Sequence, residues 1–132
     1  MQPSNKLLWT LKIVASFIMF QSLFFKFSGA AESIELFTTL GLEPWGRYGT
    51  GIMEIIAIIL IMIPSTTAFG ALLGVGIMSG AIISHLTKLG IVIQNDNGQL
   101  FIYALVVMAC CILLLFYKKD QIVNLVLKGK RI

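Results

Sequence analysis

The chain has 132 residues, 58% of them hydrophobic and only 12% charged, with a mean hydropathy of +0.93. Soluble domains carry about 25% charged residues, so the composition excludes an ordinary water-soluble fold, and the length allows a single domain, 1–132. The formal net charge of +4 does not point to nucleic acid, because the basic residues cluster near the two termini beside apolar runs, as anchors facing anionic lipid do.

Four apolar segments, at about 7–27, 48–63, 68–86 and 100–117, come close to the roughly 20 residues a helix needs to cross the hydrocarbon. They predict an all-α fold, a transmembrane four-helix bundle. The first segment also resembles a signal peptide, with Lys6 and Lys12 ahead of an apolar stretch and Ser28-Gly29-Ala30 as a small-residue cut site. Lys26 would interrupt that site, so a retained span is the expectation. The polar connection 28–47 holds a Gly41-Leu42-Glu43-Pro44-Trp45-Gly46 turn, and 30–40 reads as a short amphipathic helix at the interface. Pro64-Ser65-Thr66-Thr67 is a tight uncharged turn that makes a hairpin of the second and third spans. Gln94-Asn95-Asp96-Asn97-Gly98 supplies turn chemistry to the third loop. Gly70xxxGly74 and Gly76xxxGly80 are both expected to be packing motifs. Cys110 and Cys111, adjacent and deep in the last span, read as small hydrophobes. The tail 120–132 alternates apolar and basic residues and reads as an interfacial helix or a frayed end.

Lys6, Lys12, Lys118, Lys119, Lys128, Lys130 and Arg131 lie at the end holding both termini, against Lys26, Arg47 and Lys88 at the other. The bias of Lys and Arg toward the inner side places both termini in the cytoplasm. It also puts the polar groups of the spans in one outer layer. Lys26 ends the first span. Arg47 precedes the second, and Glu54 lies about two turns further in, roughly 10 Å at 1.5 Å per residue. His85 ends the third span, and Tyr103 is a turn into the fourth. A charge inside a bilayer is costly and faces protein or a water-filled cavity, so Lys26, Glu54 and His85 are expected to turn inward together, with Arg47 and Tyr103 in support. Gln21 falls away from the Lys26 face. The structural alternative is a buried ion pair that only fixes helix register.

Phe24-Phe25-Lys26-Phe27, the Phe37, Leu40-Gly41-Leu42 and Pro44-Trp45 loop, Gly51-Ile52-Met53-Glu54, and Met78 with Ala81-Ile82-Ile83-Ser84-His85-Leu86 follow one another in an order and spacing that resembles the DoxX-like family of small bacterial membrane proteins. Leu23 departs from it, standing where many relatives carry a glycine three residues before the lysine. The resemblance implies a four-helix bundle in the bacterial inner membrane, with Lys26, Glu54 and His85 at the family's polar positions. It also implies a link, in some branches, to thiosulfate:quinone oxidoreduction and to redox or sulfur-stress complexes.

The leading functional expectation is a subunit of a redox-linked, quinone- or sulfur-associated complex, in which the Lys26, Glu54 and His85 layer binds a small ligand or exchanges protons. The sequence carries no haem ligand pair, iron–sulfur cysteine motif, metal-ligand pattern or Gly-rich flavin loop, so quinone is the one cofactor considered. Electrons would come from a partner, and the chain is not expected to be a complete enzyme alone. The alternative is a membrane assembly module, docking a protein partner or a second copy. A proton or solute pathway ranks last, because the inner half offers only Lys12 and Ser16 as polar groups.

Overall fold

The computed structural model describes residues 4–90 and 98–130. Within them run α1 (Asn5–Ser28), α2 (Ala31–Thr39), α3 (Trp45–Met62), α4 (Thr67–Ser84), α5 (Gln99–Tyr117) and α6 (Lys119–Lys130). A 3-10 turn at Pro64–Thr66 joins α3 to α4, and α4 continues into a π-helical turn at His85–Leu89. α1, α3, α5 and α4 with its flanking turns are each long and apolar enough to cross a bilayer, and no strand occurs among the described residues. The architecture is an all-α four-helix membrane bundle. α1 packs on α3 and α5, and α4 packs on the same two, so the spans form a ring in the order α1, α3, α4, α5.

Burial follows from lipid as the outer solvent. Ala15, Met19, Ala57, Ile61, Val107 and Cys111 fill the centre. Phe17, Phe20, Phe24, Ile83 and Phe116 are each more than half exposed, which acyl chains accommodate and water would not. Both cysteines are free and buried.

Helix ends are satisfied locally, as a bilayer requires. The Ser4 hydroxyl accepts the Leu7 N–H at 3.1 Å and starts α1. Gly29, at φ 70°, ends it, and the Gly29 and Ala30 N–H groups return to the Phe25 carbonyl. α3 begins at Trp45 rather than Tyr48, because Pro44 precedes a first turn that needs no N–H from it; Arg47 therefore sits inside the helix. The hairpin turn is closed by hydroxyls: Thr66 Oγ1 donates to Leu60 O at 2.8 Å, and Thr67 Oγ1 to Ile61 O at 3.0 Å. These carbonyls end α3 and would otherwise lack partners.

The amphipathic segment of the first loop is α2, lying across the α1 and α3 ends with Phe37 buried. The tail is helical and stapled to the hairpin: the Gln121 side chain accepts from Ala68 N–H at 2.9 Å and donates to Pro64 O at 2.7 Å. The turn expected at 94–98 lies outside the described residues apart from Gly98, which precedes α5 at φ 82°.

The two glycine pairs of α4 differ. A Cβ on Gly70 would stand 2.5 Å from Ile61 N and 2.8 Å from Ala57 O, and one on Gly74 would stand 2.6 Å from Cys111 Sγ. That pair carries close packing. A Cβ on Gly76 or Gly80 would meet nothing within 4 Å. The expectation of a second packing motif is thus corrected: α3 and α4 touch at Gly70, and one to three turns on, at Gly76 and Gly80, no neighbour is close.

Candidate functional site

Lys26 occupies the last turn of α1 and Glu54 the middle of α3. The Lys26 ammonium donates to Glu54 Oε1 at 2.5 Å and to Ser22 Oγ, one turn back on its own helix, at 2.5 Å. Glu54 is only 2% exposed. Its second oxygen, Oε2, has no hydrogen-bond partner; among the described residues it shares that condition with Ser16 Oγ alone of the buried side-chain polar atoms. A buried acceptor without a donor is costly and calls for an explanation.

Arg47 is buried but belongs to a different task. Its guanidinium holds the Glu43 carboxylate, with Nη2 2.8 Å from Oε1 and Nε 3.0 Å from each oxygen, and it donates through Nη1 to the backbone carbonyl of Lys26. The ring of Tyr48 lies 4.4 Å from the guanidinium carbon. Arg47 thereby caps a free carbonyl at the end of α1 and ties the backbone that carries Lys26 to α3. Arg47→Met is expected to lower the melting temperature in detergent, and Arg47→Lys to recover less than half of the loss, since an ammonium lacks the planar fork; thermal unfolding of the purified variants measures both.

His85 opens the π-helical turn and is buried. Its Nδ1 lies 2.9 Å from Gly90 O. A carbonyl only accepts, so Nδ1 carries the hydrogen and Nε2 is the nitrogen able to accept. Phe101 of α5 meets the ring edge-on with centroids 5.6 Å apart. Tyr103 takes a hydrogen bond from the Gln99 side chain at 2.6 Å.

These groups border one cavity of about 1030 Å³. Lys26, Glu54, Ser22, His85, Tyr103 and Gln99 are part of its polar lining, and Met19, Phe25, Leu36, Phe37, Met53 and Phe69 are part of a wider apolar one. α2 contributes Leu36 and Phe37 to this wall, and Leu40 follows at its C-terminal cap. The structure brings Lys26 into contact with Glu54 and sets His85 and Tyr103 on the same cavity, each bonded to its own neighbour. Arg47 stands behind the wall. Gln99 was not singled out in the sequence; Ser22 shares the Lys26 face of its helix, one turn away. Gln21, read there as turned away, also borders the cavity.

Chemically the site offers a buried ion pair with one uncommitted acceptor, facing an apolar volume large enough for a ring and part of a chain. Neither the curated proteins nor the solved structures yield a match to this chain. The sequence model of the DoxX-like family, by contrast, matches residues 10–116, a stretch that reaches into all four spans and holds the Lys26, Glu54 and His85 positions. The chain belongs to the DoxX-like family.

Proposed function

We propose that this protein is a small membrane subunit that binds the head group of a lipid-soluble carrier of the quinone class at Lys26 and Glu54, and exchanges the carrier's protons there. The observation that supports it is Glu54 Oε2, a buried acceptor without a donor in a largely apolar cavity. A hydroquinone hydroxyl would donate to Oε2. The Lys26 ammonium has three hydrogens, two of them committed, and the third would donate to a ring oxygen. Reduction of a quinone takes two electrons and two protons; Glu54 and His85 would pass protons, and a partner redox protein would pass electrons. On this reading the termini are cytoplasmic, with Lys6, Lys118 and Lys119 at that side, the membrane is the bacterial inner membrane, and the chain works in a complex.

The test is equilibrium binding of a decyl-substituted hydroquinone to the full chain in nanodiscs. Wild type is expected to bind at micromolar concentration, and Glu54→Gln at least tenfold more weakly. A second reading, an assembly module whose ion pair only sets register, draws on the Arg47 bond to the Lys26 carbonyl, which locks α1 against α3. If a folded Lys26→Met/Glu54→Gln protein supports a quinone-coupled partner as well as wild type does, that second reading replaces the first. Affinity purification from native membranes, with mass spectrometry of proteins and lipids, identifies the partner.

A further inference from the structure

We propose that the cavity is loaded sideways from the bilayer, through a gap between α3 and α4 floored by Gly76 and Gly80, so that the ligand of the Glu54 site keeps an apolar tail in that gap. This rests on the site reading above and adds the route and the ligand class: an amphipathic molecule with a donor-bearing ring and a chain, not a water-soluble one.

The geometry of α4 carries the inference. At Gly70 the backbones of α3 and α4 approach closely, with no room even for a methyl group. Gly76 and Gly80 lie about 9 and 15 Å further along at 1.5 Å per residue. Both are exposed, neither has a neighbour within 4 Å of a Cβ position, and both nonetheless border the cavity. The hairpin is tight near its turn, and nearer the polar layer the α4 face at Gly76 and Gly80 is bare where it borders the cavity. Across the gap stand Met53 and Thr50 of α3, and Leu72 lies on the α4 side. Met53 and Leu72 are 46% and 50% exposed on the lipid-facing perimeter, and the flexible Met53 thioether can move aside for a passing chain. The other approach, from the membrane surface, is walled by α2 with Leu36, Phe37 and Leu40, and Phe37 is buried. An apolar rim opening on acyl chains and leading to one unpartnered carboxylate oxygen fits a tailed ligand with a hydroxylated head. A glycine pair without a packing partner has no other evident use here, since alanine or leucine would favour the helix more.

The test compares two probes, a decyl-substituted hydroquinone and the same ring without its chain, bound to the full chain in nanodiscs. Gly76→Leu/Gly80→Leu places bulk in the gap, and neither new Cβ has a neighbour within 4 Å, so melting temperature should hold. This variant is expected to lose at least tenfold in affinity for the tailed probe and less than twofold for the tailless one. Unchanged affinity for the tailed probe in the leucine variant overturns the lateral route. So does an equal loss for both probes, which would mean that the glycines shape the head-group site. Failure of wild type to bind either probe overturns the site reading itself, a result distinct from both.

Discussion

Lys26→Met is expected to lower unfolding free energy by about 3–5 kcal/mol, and adding Glu54→Gln to return most of that loss. Glu54 is 2% exposed and its one ion-pair partner is the Lys26 ammonium at 2.5 Å. Removing the cation leaves a carboxylate in low dielectric, with Oε2 already lacking a donor and Oε1 deprived of its charged one. Replacing the carboxylate by an amide removes the charge and leaves only ordinary polar burial. Glu54→Gln alone should cost less, about 1–2 kcal/mol, because Lys26 keeps Ser22 and its side chain is 12% exposed, enough to shift toward the interface. A double-mutant cycle read by denaturant titration in detergent isolates the pair energy. If Lys26→Met unfolds at the wild-type midpoint, the contact is incidental and the site loses its anchor. Folding and binding are separable here: the double variant should fold yet fail to bind the hydroquinone.

Much of this arrangement is legible in the residues. Glu54 stands alone in the apolar stretch 51–63, and the cost of an unpaired charge there requires a counter-charge at equal depth; Lys26 is the cation at the matching end of the neighbouring span. The four spans are legible for the same reason, since hydropathy over about 20 residues reports a simple solvent preference. What was not legible depends on packing. The His85 hydrogen bond needs a π-helical turn to bring Gly90 O back to the ring, and nothing in His85-Leu86-Thr87-Lys88-Leu89 marks a change from α-helical winding. The task of Arg47 was not legible because it depends on the carbonyl end of α1 arriving beside it. The glycine spacing was legible as permission for close approach. It does not say whether a helix takes that permission, because that is decided by where the α3–α4 turn pivots.

Gly70→Leu supplies the second large effect, and it turns on that pivot. A Cβ at Gly70 would sit 2.5 Å from Ile61 N, 2.8 Å from Ala57 O and 2.8 Å from Ile61 Cγ1. The first two are backbone atoms of a helix and cannot rotate away, so α3 and α4 must separate. Between membrane helices the driving force is van der Waals contact and not water exclusion, and a gap of 0.5–1 Å forfeits a quarter to a half of each contact's well depth. Overpacking in a core costs about 1–3 kcal/mol. Here the obstruction is rigid, so Gly70→Ala should reach the upper end of that range, and Gly70→Leu should leave little folded protein after extraction. Gly80→Ala, at an open position of the same helix, should instead stabilise by about 0.5–1 kcal/mol through helix propensity alone. Size-exclusion profiles and thermal unfolding of the three variants decide between this account and one in which α4 glycines are interchangeable. Equal stability of Gly70→Ala and Gly80→Ala would mean that the hairpin is not pinched at Gly70, and the lateral route proposed above would lose its fulcrum.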